Sequence, residues 1–302
     1  MEPKIIKPAR LLPGDIIGVA APAGPFETGD FEQGVAVLKE MGFEVRVPDN
    51  LQQPQKYLAG SDAMRASVLK DLFEDPEVKG IICARGGYGS MRILDLVDYD
   101  LIRHHPRIFL GFSDISALIS SITTQSGLVT FHGPNIISLG KATPQTKVSF
   151  FRAVTSNQPL DIRPQNTSVI TPGSGTGIVA GGNLATLSHL LGTPYSPAYR
   201  GCLFVMEDIL EAPYKIDRML FQMRMAGCFQ GMSGVVLGTF QDCGNYDAIC
   251  EIAANLFEDM QIPVLGGFDI GHGHENMTIP MGIQATLDTD QGVLVYQEAA
   301  LV

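Results

Sequence analysis

The feature that most constrains this chain is the alternation, along its first half, of short apolar runs with segments of helical period. Residues 15–21, 43–47, 79–83 and 107–111 are the apolar runs; the first reads Asp-Ile-Ile-Gly-Val-Ala-Ala and stops at Pro22. Between them, Phe31, Val35, Leu38 and Met41 recur at helical spacing over 31–41, and Gly42 suits the position after a helix end. Residues 62–74 predict a second helix, with Ser61 as N-cap and Pro76 as the stop, and a third follows near 115–125. Short apolar strands separated by helices are what a parallel sheet covered on both faces requires.

The pattern breaks between 156 and 177, where proline, glycine, asparagine and serine crowd together. This predicts a first domain over 1–160, a connection over 161–177 and a second domain over 178–302. The second domain reads as α/β or α+β, with strands at 202–206, 233–240, 263–268 and 292–297 and helices near 214–226 and 246–258. A chain of 302 residues is long for one core and suits two.

Composition narrows the partners. A formal net charge of −11 repels phosphate backbones and anionic lipid surfaces, which argues against nucleic-acid or membrane binding. No signal-type apolar stretch follows Met1-Glu2-Pro3-Lys4, and no run approaches the roughly 18 apolar residues of a membrane span. Five cysteines at irregular spacing form no CxxC pair. Together these point to the cytoplasm.

Four segments could carry chemistry. Gly111-Phe112-Ser113-Asp114 lies between an apolar strand and a helix, where a sharp turn lifts a hydroxyl clear of a sheet and aims helix N-terminal N–H groups at a developing oxyanion. The competing role for Ser113 or Asp114 is helix capping. Ala84-Arg85-Gly86-Gly87-Tyr88-Gly89-Ser90 follows another strand, and its glycines can offer bare N–H groups; it is neither GxGxxG nor a Walker loop. Glu207-Asp208 ends the apolar run Leu203–Met206 and could orient a histidine or merely be solvated. Gly271-His272-Gly273-His274-Glu275 places two of the six histidines in one loop, but no further ligand cluster completes a metal site, so a general base is the better reading. The turn Ala180-Gly181-Gly182-Asn183 reads as a helix start capped by Asn183.

Taken in order, ARGGYGS (84–90), GFSD (111–114), GGNLATLSHLLGTP (181–194), VMEDILEAPYKIDRML (205–220) and GFDIGHGHENMTIPMG (267–282) resemble the serine LD-carboxypeptidase family, which includes muramoyltetrapeptide carboxypeptidases and microcin immunity peptidases. The resemblance runs from VAAPAG (19–24) onward over nearly the whole chain. It implies a nucleophile at Ser113, an orienting acid at Glu207 and a general base at His272. Oxyanion donors would be the backbone N–H groups of Asp114 and of Gly86 or Gly87. Arg85 is a candidate anchor for a substrate carboxylate. The resemblance also implies an N-terminal domain with a parallel sheet flanked by helices, a C-terminal α/β domain with a β-sheet or barrel-like core, an active site at their junction and a homodimer. The implied activity needs no metal or organic cofactor: it is cleavage of a small muropeptide-like substrate between an L-centre and a D-amino acid. The order Ser…Glu…His is that of α/β-hydrolases, yet Ile115 stands where their GxSxG would end. Two other readings stay open: a microcin-type peptidase acting on a peptidyl-nucleotide amide, and a non-catalytic two-lobed binding protein.

Overall fold

The computed structural model describes residues 4–302; Met1–Pro3, the start of the expected first domain, lie outside the described residues. The chain forms two compact units. The first holds residues through Asn157, together with Met277–Gly282 and Ala300–Val302; the second holds Gln158–Asn276 and Ile283–Ala299.

The first unit is built on a six-stranded sheet in the order Ile279–Met281, Thr130–His132, Ile108–Gly111, Val78–Cys83, Ile16–Ala20, Glu44–Arg46. All neighbours pair in parallel except Ile279–Met281, which runs antiparallel to Thr130–His132. The central strands are buried on both faces, as their unbroken apolar sequences demand: every residue of Ile108–Gly111 is buried. The helix Asp62–Glu74 begins where expected, with the Ser61 hydroxyl accepting the Met64 N–H at 3.2 Å. Along the chain the strands step first to one side of Ile16–Ala20 and then to the other. The order therefore reverses between Ile16–Ala20 and Val78–Cys83, and ligands of such sheets bind outside the carboxyl ends of the strands at that reversal. The turns leaving these two strands meet there: Gly24 N–H donates to Gly86 O at 3.0 Å.

The second unit is a mixed, curled half-barrel sheet of eight strands. Its order is Asp161–Ile162, Val293–Tyr296, Gln284–Asp288, Ser174–Asn183, Cys202–Ile209, Gly234–Gln241, Val264–Gly266, Ser168–Thr171. The four strands from Ser174–Asn183 to Val264–Gly266 are parallel, and the outer ones pair antiparallel. Helices Pro213–Met225 and Tyr246–Phe257 make crossovers between the parallel strands. Residues 161–177, read from sequence as a connection, supply Asp161–Ile162, Ser168–Thr171 and the start of Ser174–Asn183. Asp161–Ile162 and Ser168–Thr171 are the short edges of the sheet and Ser174–Asn183 opens on small and polar residues, so none of the three shows an apolar run before Ile178. Pro280 hides the strand Ile279–Met281 in the same way. Among the described residues no helix is long and apolar enough to cross a membrane.

Candidate active site

In the first unit the candidate residues converge at the carboxyl ends of the parallel strands. Phe112 leaves strand Ile108–Gly111 extended, and Ser113 then turns into the left-handed region at φ 65°. A non-glycine residue reaches that region only at a cost of about 1 kcal/mol or more, so the surrounding structure must hold it there. A short 3-10 turn, Ser113–Ile115, leads directly into helix Ser116–Ser126. Neither start receives a side-chain cap, which removes the capping role for Ser113 and Asp114. Main-chain N–H groups at such a start have no partner within the helix and point outward.

The Asp114 carboxylate instead reaches the glycine turn. Its Oδ2 accepts the Ser90 N–H at 2.8 Å, and the Ser90 hydroxyl donates to Asp114 O. Asn135 Oδ1 accepts the Phe112 N–H at 3.3 Å from the other side. Gly86 packs so close that a Cβ there would lie 2.8 Å from Ser113 Cβ and 3.0 Å from its Oγ. Gly86, Gly87, Asp114 and Ser113 thus share one end of the first sheet. Arg85 is exposed, and its Nη1 donates to Pro25 O at 2.6 Å.

In the second unit Glu207 and Asp208 lie side by side near the end of strand Cys202–Ile209. Strand alternation sends them to opposite faces, and their partners bear this out. Asp208 accepts from Asn183 Nδ2 at 3.0 Å, Ala185 N at 2.8 Å and Ile209 N at 2.9 Å. Glu207, fully buried, turns to the glycine loop after strand Val264–Gly266. Its Oε2 accepts the His272 main-chain N–H at 3.2 Å and meets His272 Nδ1 at 2.7 Å. One carboxylate oxygen therefore fixes both the backbone and the ring of the histidine. With Nδ1 donating, the neutral ring carries its lone pair on Nε2, the arrangement of a general base.

The loop is shaped around that carboxylate. Gly271 has φ 106°, and a Cβ there would lie 2.2 Å from Glu207 Oε2. Asn276 Oδ1 accepts the Gly271 N–H at 3.0 Å, and Thr239 N–H donates to Ile270 O at 2.9 Å. Sequence reading did not single out Asn276 or Ser90; both lie within the quoted motifs, and burial of their polar side chains marks them. His274 is 88% exposed and lies 3.7 Å from Glu275. Among the described residues no three His, Cys, Asp or Glu side chains are grouped to hold a metal ion.

Burial opposes charge on His272, but the hydrogen bond and negative charge of Glu207 outweigh it and raise the imidazole above its ordinary value. Asp208 is pushed up to about 6 by burial and then by the charge of Glu207, against the pull of its N–H donors. Between its ordinary range and about 6 the folded chain holds more protons at Asp208 than the unfolded chain, so this contribution to stability falls as pH rises through that window.

The family described as the LD-carboxypeptidase N-terminal domain matches residues 17–133, and that described as the LD-carboxypeptidase C-terminal domain matches residues 176–287. The chain is 37% identical over 302 residues to a probable murein peptide carboxypeptidase of Bacillus subtilis, covering 96% of this chain and 94% of that one. The solved structure of MccF in complex with glutamyl sulfamoyl guanosine is similar at a TM-score of 0.90 and 27% identity, covering 98% of this chain and 99% of that one. A muramoyltetrapeptide carboxypeptidase from Oxalobacter formigenes is similar at a TM-score of 0.81 and 28% identity, covering 93% and 97%.

By histidine NMR the His272 ring is expected to titrate above the ordinary value of 6.5. In Glu207→Gln the midpoint should fall from its wild-type value, because burial is then opposed only by the weaker charge effect of Asp208. An unchanged midpoint in that variant would show that the pair does not govern the imidazole.

Proposed function

The chain belongs to the LD-carboxypeptidase family of serine hydrolases, and from that premise we propose that it releases a terminal D-amino acid from an L-centre, as in removal of D-alanine from the murein tetrapeptide. The observation that carries the chemistry is the 2.7 Å contact between a fully buried Glu207 and His272 Nδ1. The substrate class rests on the 37% identity with the probable murein peptide carboxypeptidase of Bacillus subtilis.

In this reading Ser113 is the nucleophile. Its Oγ attacks the scissile carbonyl carbon while His272 Nε2 takes the hydroxyl proton. The carbonyl electrons move onto oxygen, and the N–H groups of Asp114 and of Gly86 or Gly87 stabilise that charge. Collapse breaks the C–N bond. His272 returns the proton to the departing amine, and D-alanine leaves. Water, deprotonated by the same imidazole, then attacks the acyl-enzyme ester; the ester C–O bond breaks, and the imidazolium returns the proton to Ser113 Oγ. Glu207 stays ionised, holds the ring's tautomer and stabilises the imidazolium that forms twice in each cycle. No step calls on a metal or an organic cofactor. Arg85 is a candidate anchor for the substrate's terminal carboxylate: its guanidinium is exposed and has donors beyond the one given to Pro25 O.

Ser113→Ala should retain less than about a hundredth of wild-type turnover with its fold intact, as judged by circular dichroism. Glu207→Gln should lower the rate by roughly three to four decades. Asp208→Asn should act mainly on stability, by about 1–2 kcal/mol, since it leaves an N–H donor facing a donor. A severe rate loss confined to Asp208→Asn would reverse the assignment of the acid.

Gly86→Ala should lower turnover by about a hundredfold, because the new methyl displaces the Ser113 side chain. Near-normal turnover in that variant would argue that the close approach at Gly86 has no bearing on the nucleophile.

Mass spectrometry after incubation should show D-alanine released from the tetrapeptide and none from the all-L analogue. Equal rates on both would remove the LD assignment and leave the hydrolase. Cleavage of glutamyl sulfamoyl guanosine with an intact tetrapeptide would place the chain with the immunity peptidases.

A further inference from the structure

The most deeply buried cation in the first unit takes no part in the proposed chemistry. Arg65 sits one turn into helix Asp62–Glu74, and its side chain is 0% exposed. Burying a guanidinium costs several kcal/mol unless its donors are met, and an apolar side chain would fill the same space without that cost. Here four of the N–H groups are met by three main-chain carbonyls and one carboxylate. Nε donates to Gly60 O at 3.2 Å, Nη1 to Gly89 O at 2.8 Å and also to Pro22 O, and Nη2 to Asp62 Oδ1. The three carbonyls belong to three separate loops at the carboxyl end of the first sheet.

The Gly89 contact reaches furthest. A trans peptide is planar, with its C=O and N–H directed oppositely, so fixing the oxygen aims the nitrogen. The Gly89 oxygen is held by Arg65, and the N–H of the same peptide, on Ser90, donates to Asp114 Oδ2 at 2.8 Å. Ser90 Oγ then holds Asp114 O. A continuous line of bonds thus runs from the guanidinium through one peptide plane to the residue beside Ser113. A second line runs through Pro22 O to the loop of Gly24, whose N–H holds Gly86 O at 3.0 Å. Asp62 closes the frame by also accepting Arg92 Nε at 3.0 Å and Nη2 at 2.7 Å, just past the glycine turn.

We propose that Arg65 is a positioning residue that holds the 84–90 turn and the Asp114 main chain in register for binding the oxyanion. This deepens the function proposed above and rests on its assignment of Ser113 and the oxyanion donors. Lysine cannot replace it, because one ammonium cannot span four acceptors that a planar fork meets together.

The test is covalent labelling of the full chain by a fluorophosphonate, with site mapping by mass spectrometry and separate measurement of maximal rate and half-saturation. Wild-type protein should label at Ser113. Arg65→Lys should lower the maximal labelling rate by about tenfold or more while half-saturation stays within about twofold, as misplaced donors act on the transition state and not on probe binding. The pH midpoint of labelling should stay at the wild-type value, since the Glu207–His272 pair belongs to the other unit and is untouched. Asp62→Ala, which removes the carboxylate shared by Arg65 and Arg92, should slow labelling by about threefold or more. Folded Arg65→Lys labelling within about twofold of wild type overturns the proposal, as does a loss accompanied by a shifted midpoint. If Arg65→Lys does not fold, Asp62→Ala decides by the same criterion. Failure of the wild-type protein to label at Ser113 is a different result: it removes the nucleophile assignment, and this inference with it.

Discussion

A carboxylate taken wholly out of water must find its partners inside the protein, and Glu207 finds the decisive ones in a single residue. The same oxygen takes the main-chain N–H and the ring nitrogen of His272, so the loop cannot relax without stranding a buried charge. The rest of the second unit's site follows. Gly271 must lack a side chain because the carboxylate occupies its place, and Asn276 and Thr239 pin the loop on either side of that contact. Asp208, on the opposite face, ties the end of strand Ser174–Asn183 and the start of helix Leu184–Ser188 to the same strand. Its raised proton affinity reflects two acids buried next to each other, one of which is fixed by its imidazole partner.

The first unit meets a different constraint with the same means. Its reactive candidate, Ser113, occupies a backbone conformation that its side chain disfavours, and the surrounding bonds are almost all to main-chain groups. Asp114, Ser90, Asn135 and Arg65 each trade a side-chain group for a peptide N–H or C=O, which fixes peptide planes. Fixed planes are what electrostatic stabilisation of a developing charge requires, because donors that are already aimed need not reorganise during the reaction. In both units the candidate residues stand at the carboxyl ends of parallel strands, where adjacent turns diverge and peptide N–H groups are left to bind.

The alternation of apolar runs and helical periods made the parallel core of the first unit legible, because strands buried on two faces must be apolar throughout. Ser61 as a cap and Asn183 as a helix start were legible for a similarly local reason. Of the edge strands only Glu44–Arg46 was. Asp161–Ile162 and Ser168–Thr171 are short edge strands set among proline, glycine and polar residues, Ile279–Met281 is a three-residue edge strand interrupted by Pro280, and the partners of all three lie far away in sequence. The chain's return to the first unit over Met277–Gly282 leaves no local mark at all.

The sequence by itself determined the fold class, the membership of the family and the short list of chemical residues, since each rests on local pattern or on motifs in order. It also set Glu207 and Asp208 on opposite faces, through strand alternation. The ordered motifs implied Glu207 and His272 as the pair, but only the tertiary structure holds the contact itself, the exposure of His274 and the bond of Asp114 to the glycine turn. Arg65 is the clearest case. The helical period of 62–74 lines it up with Val68, Leu69 and Leu72 on the buried face, but the carbonyls that meet its charge are in place only once Pro22, Gly60 and Gly89 have been brought together. Those contacts join loops whose nearness is set by strand order, a property that no local stretch of sequence contains.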